Sequence, residues 1–118
     1  MESILASVKK LLEITEDYEH FDTDIIIHIN SVFGILTQLG VGPASGLSIQ
    51  NKNAVWSDFI SDITKFEMVK TYVFLKVKLL FDPPLNSSVT ASMEKTINEL
   101  EWRLNVAVDP GEEENQNE

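Results

Sequence analysis

Lys65-Phe66-Glu67-Met68-Val69-Lys70-Thr71-Tyr72-Val73-Phe74-Leu75-Lys76-Val77-Lys78-Leu79-Leu80-Phe81-Asp82-Pro83-Pro84 is the stretch on which the fold turns. Its apolar residues recur at helical spacing but on two faces. Phe66, Val69, Val73, Val77 and Leu80 form one stripe, and Met68, Tyr72, Leu75 and Leu79 form a second on nearly the opposite side. Thr64 is the cap candidate for a helix over Lys65 to Phe81, and the proline pair ends it because proline supplies no backbone N–H and clashes with the preceding turn. A helix that is apolar on both sides has to be covered on both sides. The cover is either the other helices of the same chain or a neighbouring subunit, and the pattern alone leaves both open.

Three further helical segments surround this one. Beyond the prolines, Ser87 or Ser88 restarts a helix with a narrow stripe of Val89, Met93, Ile97, Leu100, Leu104 and Ala107, while Lys95 with Glu99 and Glu99 with Arg103 form i,i+4 pairs on the other side. Upstream, Asp22-Thr23-Asp24 offers caps for a helix whose Ile25, Ile26, Ile29, Val32, Phe33, Leu36 and Leu39 share one broad face. Gly40 ends that helix and Gly42-Pro43 prevents its resumption. Near the start, Ser3 caps a short helix carrying Ile4, Leu5, Val8, Leu11 and Leu12 and ending near Glu13. Thr15 to Phe21 is polar and acidic, hence a loop. Residues 41–53 form a second loop, in which Leu47 and Ile49 suggest one brief extended piece, and Trp56 to Ile60 reads as a single helical turn pinned by aromatics.

The expected fold is therefore all-α: a small bundle of three long helices plus a short N-terminal helix, with a flexible acidic C-terminal tail. Residues 1–108 make the domain and 109–118 the tail. The whole chain has 118 residues, 19 Asp and Glu against 9 Lys and Arg, and no Cys. One domain of this size buries enough surface to fold without disulfides or a structural metal. Without cysteine there is no disulfide framework, thiolate zinc site or cysteine nucleophile. Five carboxylates, those of Asp109, Glu112, Glu113, Glu114 and Glu118, fall in the last ten residues and leave the body at about −5 of the total −10. That tail has no apolar anchor to offset the entropy of ordering. Sequence-specific DNA binding is unfavourable, because no basic stripe is present to displace counterions from a phosphate backbone. No apolar run approaches the ~18 to 20 uninterrupted residues of a membrane span. Lys9 and Lys10 follow the first apolar residues, the reverse of a signal peptide's order, so folding in the cytoplasm is expected.

Catalytic vocabulary is thin. Asp24 and His28 sit at i,i+4, but two ligands are too few for a zinc site, and capping explains them as well. The acidic run Glu16, Asp17, Glu19, Asp22, Asp24 lacks the order of an EF-hand loop. Gly40 to Gly46 follows a helix rather than a strand and lacks the lysine of a phosphate loop, so it reads as a turn. No catalytic, cofactor-binding or metal-binding residue is assigned. Contact candidates are better supported. Met68, Tyr72, Leu75 and Leu79 are candidate subunit-interface residues, joined by Ile27 and Gly34 on the outer face of the second helix, where Gly34 costs about 1 kcal/mol unless something packs close. Trp102 and Arg103 are candidate docking residues, an exposed Trp being favoured at contact centres.

Four runs carry a family likeness: Phe21 to Asn30 continuing through Gln38-Leu39-Gly40-Val41-Gly42, then Trp56-Ser57-Asp58-Phe59, then Val69 to Pro84, and finally Leu100 to Asn105. Together they resemble the small helical head-tail connector proteins, also described as adaptor or DNA-packaging proteins, of long-tailed phages and prophages of Gram-positive bacteria. The likeness covers about residues 1 to 106, and the helix ending Phe81-Asp82-Pro83-Pro84 is its most specific element. It implies a virion structural protein and no enzyme. It further implies a closed head-to-tail ring of copies, formed in isolation or only on the portal, with a portal protein above and a stopper or tail-completion protein below. DNA passes non-specifically through the channel, no membrane is involved, and the protein moves from host cytoplasm to virion neck. No catalytic residues or cofactors come with the likeness. The alternative reading is a small cytoplasmic helical regulator that binds another protein through the same apolar faces.

Overall fold

The computed structural model describes residues 2–108, and the acidic tail expected over 109–118 lies outside the described residues. Four α-helices follow in order: α1 (Ile4–Leu11), α2 (Asp22–Gln38), α3 (Ile63–Phe81) and α4 (Ser87–Val108), with a 3₁₀ turn at Trp56–Asp58 before α3. The fold is all-helical as expected. Leu47 and Ile49 form no strand; among the described residues the only β-type pairing is an isolated antiparallel bridge between Ser3 and Val55.

Caps explain the boundaries. Ser3 Oγ accepts from the Ala6 N–H, as its position suggests. The other starts differ from expectation by one or two residues. Asp62, not Thr64, caps α3: its Oδ1 accepts from the Thr64 N–H and hydroxyl, which holds the Asp62 carboxyl below its usual range. Asn86, not a serine, caps α4 by accepting from the Ser88 N–H. Asp22 caps nothing; α2 begins there without a side-chain cap because that carboxylate faces Lys9 instead.

At their other ends α1 and α2 stop in the same way. Glu13 donates its N–H to Lys10 O and Ile14 donates to Lys9 O; Gly40 donates to Thr37 O and Val41 donates to Leu36 O. Both are turns that need a left-handed residue, Glu13 at φ 65° and Gly40 at φ 87°. Gly42 is needed for space as well as conformation, since a Cβ there would stand 2.6 Å from the Phe59 ring. Phe59 in turn stacks on Phe33 with centroids 4.3 Å apart.

The core gathers between α1, α2 and α3. Ile25, Ile29, Val32, Phe33 and Leu36 of α2 meet Val69, Val73 and Val77 of α3, with Trp56 wedged beside them, all sealed from solvent. Trp56 Nε1–H donates 2.7 Å to Ser7 Oγ, which donates to Ile4 O, so the indole's polar edge is satisfied inside. Two stripe positions depart from expectation. Leu80 is 53% exposed, because the last turn of α3 points Phe81 at α2, where its ring meets Phe21 at 5.3 Å. Leu11 is also exposed, leaving Leu12 to close the end of α1.

Candidate interaction surfaces

The two faces of α3 are both covered within one chain. Its inner stripe meets α2 and α1, and α4 lies along its outer stripe. Tyr72 is fully enclosed, and its hydroxyl donates 2.7 Å to Glu101 Oε2 on α4. Burial first, and then the bond to Glu101 and that carboxylate's charge, push the phenol above its ordinary pKa. Tyr72 is therefore core, and its nomination as a subunit contact is corrected: the covering helix belongs to the same chain. Met68, Leu75 and Leu79 pack half-buried against the same core, so only their edges reach solvent.

The cover provided by α4 is thin. Ile97 and Leu104 are its only fully buried side chains among the described ones, Met93 and Leu100 are half-buried, and Val89 is exposed. The side chain of Ala107, last in the expected stripe, lies outside what is described. On the opposite side of α4, Trp102 is 66% exposed and Val106 lies one turn on, also exposed. Arg103 Nε donates 2.9 Å to Glu99, as the i,i+4 spacing suggests, while Lys95 makes no ion pair with Glu99. Trp102 and Arg103 thus stand on an open face.

The outer face of α2 is open too. Ile27 is exposed, and nothing lies within 4 Å of a Cβ built on Gly34. A shallow cleft of about 310 Å³ lies there, between Gly34 and Thr37 of α2 and the loop at Ser45 to Ser48. That loop is fixed by Asn30, whose side chain donates to Ile49 O and accepts from the Ile49 N–H, as a neighbouring strand would.

Lys9 is the residue whose role the sequence reading missed. Its ammonium is buried, donates 2.8 Å to Glu16 O and 2.7 Å to Tyr18 O, and lies 2.8 Å from Asp22 Oδ1. Two hydrogen bonds to carbonyls and one ion pair surround the ammonium and pin the acidic loop to the start of α2. The signal was present: Leu5, Lys9 and Leu12 follow the i, i+4, i+7 spacing of the core stripe. The lysines of α3 are mostly paired at the surface, Lys65 with Asp62, Lys70 with Glu2 and Lys78 with Asp82. His28 and Asp24 are not joined by a third ligand; among the described residues no three His, Asp or Glu side chains gather as a metal site. Among those residues, too, no helix is long and apolar enough to cross a membrane.

The outer faces of α2 and α4 are thus both open to solvent, on either side of a closed core. The family model described as phage connector protein matches residues 4–111. The chain belongs to that family. Its role is accordingly that of a structural connector of a phage particle, and the likeness drawn over about residues 1 to 106 is borne out over almost the same span. No curated protein and no solved structure matches this connector.

Proposed function

We propose that this connector forms a closed ring of copies beneath the portal, joins the DNA-filled capsid to the tail, and leaves a channel through which DNA passes. The family assignment over residues 4–111 is the observation that carries this reading. The geometry supports it in one respect. A head-to-tail ring needs two different, non-overlapping surfaces on each copy. The outer faces of α2 and α4 are such a pair, because the two helices flank α3 from opposite sides. Ile27 and Gly34 then serve one side of the subunit contact, and the exposed edges of Met68, Leu75 and Leu79 add to the other. Trp102 and Arg103 dock against the portal or the stopper or tail-completion protein. An acidic chain suits a channel that DNA must cross without sticking. Assembly takes place in the host cytoplasm, and the finished ring sits in the virion neck.

The test is native mass spectrometry with negative-stain imaging of the protein across a concentration series, alone and mixed with the cognate portal. A closed ring with a central hole, in either condition, is the expected result. A chain that stays monomeric alone and ignores the portal would return the protein to the regulator reading.

A further inference from the structure

We propose that the pole of the molecule where α2 begins and α3 ends docks a cationic surface of a different protein, one in which Lys or Arg side chains surround aliphatic or aromatic anchors. The proposal deepens the connector reading by giving the chemistry of one neighbour, and it stands or falls separately from ring formation.

Three observations meet at this pole. The first is apolar exposure. Among the described residues Leu11, Tyr18, Leu80, Leu85 and Val89 are large apolar side chains left open to solvent, and they come from the end of α1, the following loop, the end of α3, the proline connection and the start of α4. The end of α1, the start of α2 and the end of α3 meet there, since Phe81 meets both Phe21 and His28 and Lys9 of α1 meets Asp22 of α2. Leu85 and Val89 follow within eight residues of Phe81 along the chain; Ile27, Ile63, Trp102 and Val106 are exposed elsewhere. Leu85 is wholly exposed and contributes nothing to the core. Exposed apolar side chains concentrated at one place mark contact surfaces, whereas scattered ones do not.

The second is aromatic. Tyr18, His20, Phe21 and Phe81 form a chain of ring contacts with centroids 4.8 to 6.1 Å apart. Tyr18 and His20 are the exposed rings of this chain, and the Tyr18 face offers the negative side of its quadrupole to a guanidinium or ammonium, while Phe21 and Phe81 pack half-buried against the core behind it. The surface is also preformed. The buried Lys9 holds the carbonyls of Glu16 and Tyr18, so the loop carrying the aromatics is tied down through its backbone.

The third is charge, and it decides the occupant. From Leu11 to Asn51 the sequence contains no Lys or Arg, while Glu13, Glu16, Asp17, Glu19, Asp22 and Asp24 fall in that span. Only Asp22 among these six is ion-paired among the described residues. Lys52 lines a depression with Glu19 and Asp22, and Lys10 lines one with Glu13 and Glu16; Lys78 is already paired with Asp82, and these cations do not outweigh the carboxylates. A second copy presenting the start of α3 would bring Asp58 and Asp62 with Lys65 beside them, a surface that is not basic. Like charge across an apolar contact is unfavourable, so the complementary partner is basic and is not this chain.

The experiment is an NMR titration of the isotope-labelled full-length chain with an amphipathic Leu/Lys helical peptide and with its Leu/Glu counterpart. Saturable shifts at residues 16–21 and 80–85 with the Leu/Lys peptide, and none with the Leu/Glu peptide, are expected. The double variant Tyr18→Ser, Leu85→Ser should weaken binding at least tenfold. Glu16→Gln with Asp17→Asn and Glu19→Gln should weaken it several-fold and flatten its salt dependence, while Trp102→Ser changes nothing. All these side chains are exposed, and the carbonyls that Lys9 holds are untouched, so an unchanged far-UV spectrum checks the fold. Shifts confined to residues 102–118, equal binding of both peptides, unaltered affinity in the variants, or no binding would each overturn the proposal.

Discussion

α2 and α4 lie on opposite sides of α3 and are both long amphipathic helices, yet they are held by different means. α2 buries five apolar side chains completely, is backed by α1, and carries Asn30 and the Asp22 ion pair with Lys9 as further ties. α4 is longer, packs chiefly on α3, and among its described residues seals only Ile97 and Leu104. Its polar tie to α3 is the bond from Tyr72 to Glu101. The contrast assigns most of the stability to one flank: a helix that needs little of its surface for folding leaves the rest, here Trp102 and Val106, open to solvent.

The sharpest way to break that contrast is to empty each flank in turn. Phe33→Ala removes a ring enclosed by Phe59 and Trp56 and should cost about 4 kcal/mol in chemical denaturation. Leu104→Ala on the α4 side should cost about 3 kcal/mol or less, because a lightly packed helix can relax into the space. Equal losses would mean that α4 is as much a part of the core as α2. Lys9→Met should cost about 3 kcal/mol, since it leaves the partly buried Asp22 carboxylate without its cation and two carbonyls without donors. The double variant with Asp22→Asn should recover part of that loss, which a simple packing defect would not allow.

Tyr72→Phe tests the tie between α3 and α4 and should cost about 1.5 kcal/mol near neutral pH. The pH dependence has a definite sign. The folded chain holds the phenol proton more tightly than the unfolded chain, so this contribution is complete below the phenol's ordinary pKa of about 10 and fades as pH rises beyond it. Wild type should therefore lose stability in alkali faster than the Phe variant, and the gap between them should narrow. A constant gap across that range would show that folding does not raise the pKa of this phenol.

Where the helices run was legible because period and punctuation agree. The Asp82-Pro83-Pro84 stop, the Gly40 stop and the face of α2 each follow from one physical constraint. Caps were harder, since Asp62, Thr64, Asn86, Ser87 and Ser88 are all competent acceptors and backbone geometry selects among them. The second face of α3 could be read as apolar, but not as covered from within, because an α4 residue and a neighbour's residue look alike to a Tyr72 side chain. Lys9 was hidden by its type: a lysine at a stripe position is usually solvated, and its acceptors are backbone carbonyls that carry no sequence signal. The open candidates Ile27, Gly34, Trp102 and Arg103 were legible because each departs from the core stripe of its own helix.

Gly34 gives the smallest effect and the cleanest separation of folding from assembly. It sits in mid-helix with nothing within 4 Å of a Cβ, so a methyl group fits the isolated chain without strain. Helix propensity then makes Gly34→Ala a stabilising change of about 1 kcal/mol, readable as a rise in the thermal midpoint. If a neighbouring copy packs into the cleft beside Gly34, the same methyl group stands in its way, and ring formation should weaken as the monomer gains stability. Opposite signs in the two measurements would place the subunit contact on the outer face of α2. A stabilised monomer that assembles as well as wild type would mean that the glycine is a tolerated cost on a solvated face. The α2 side of the contact would then have to rest on Ile27 alone.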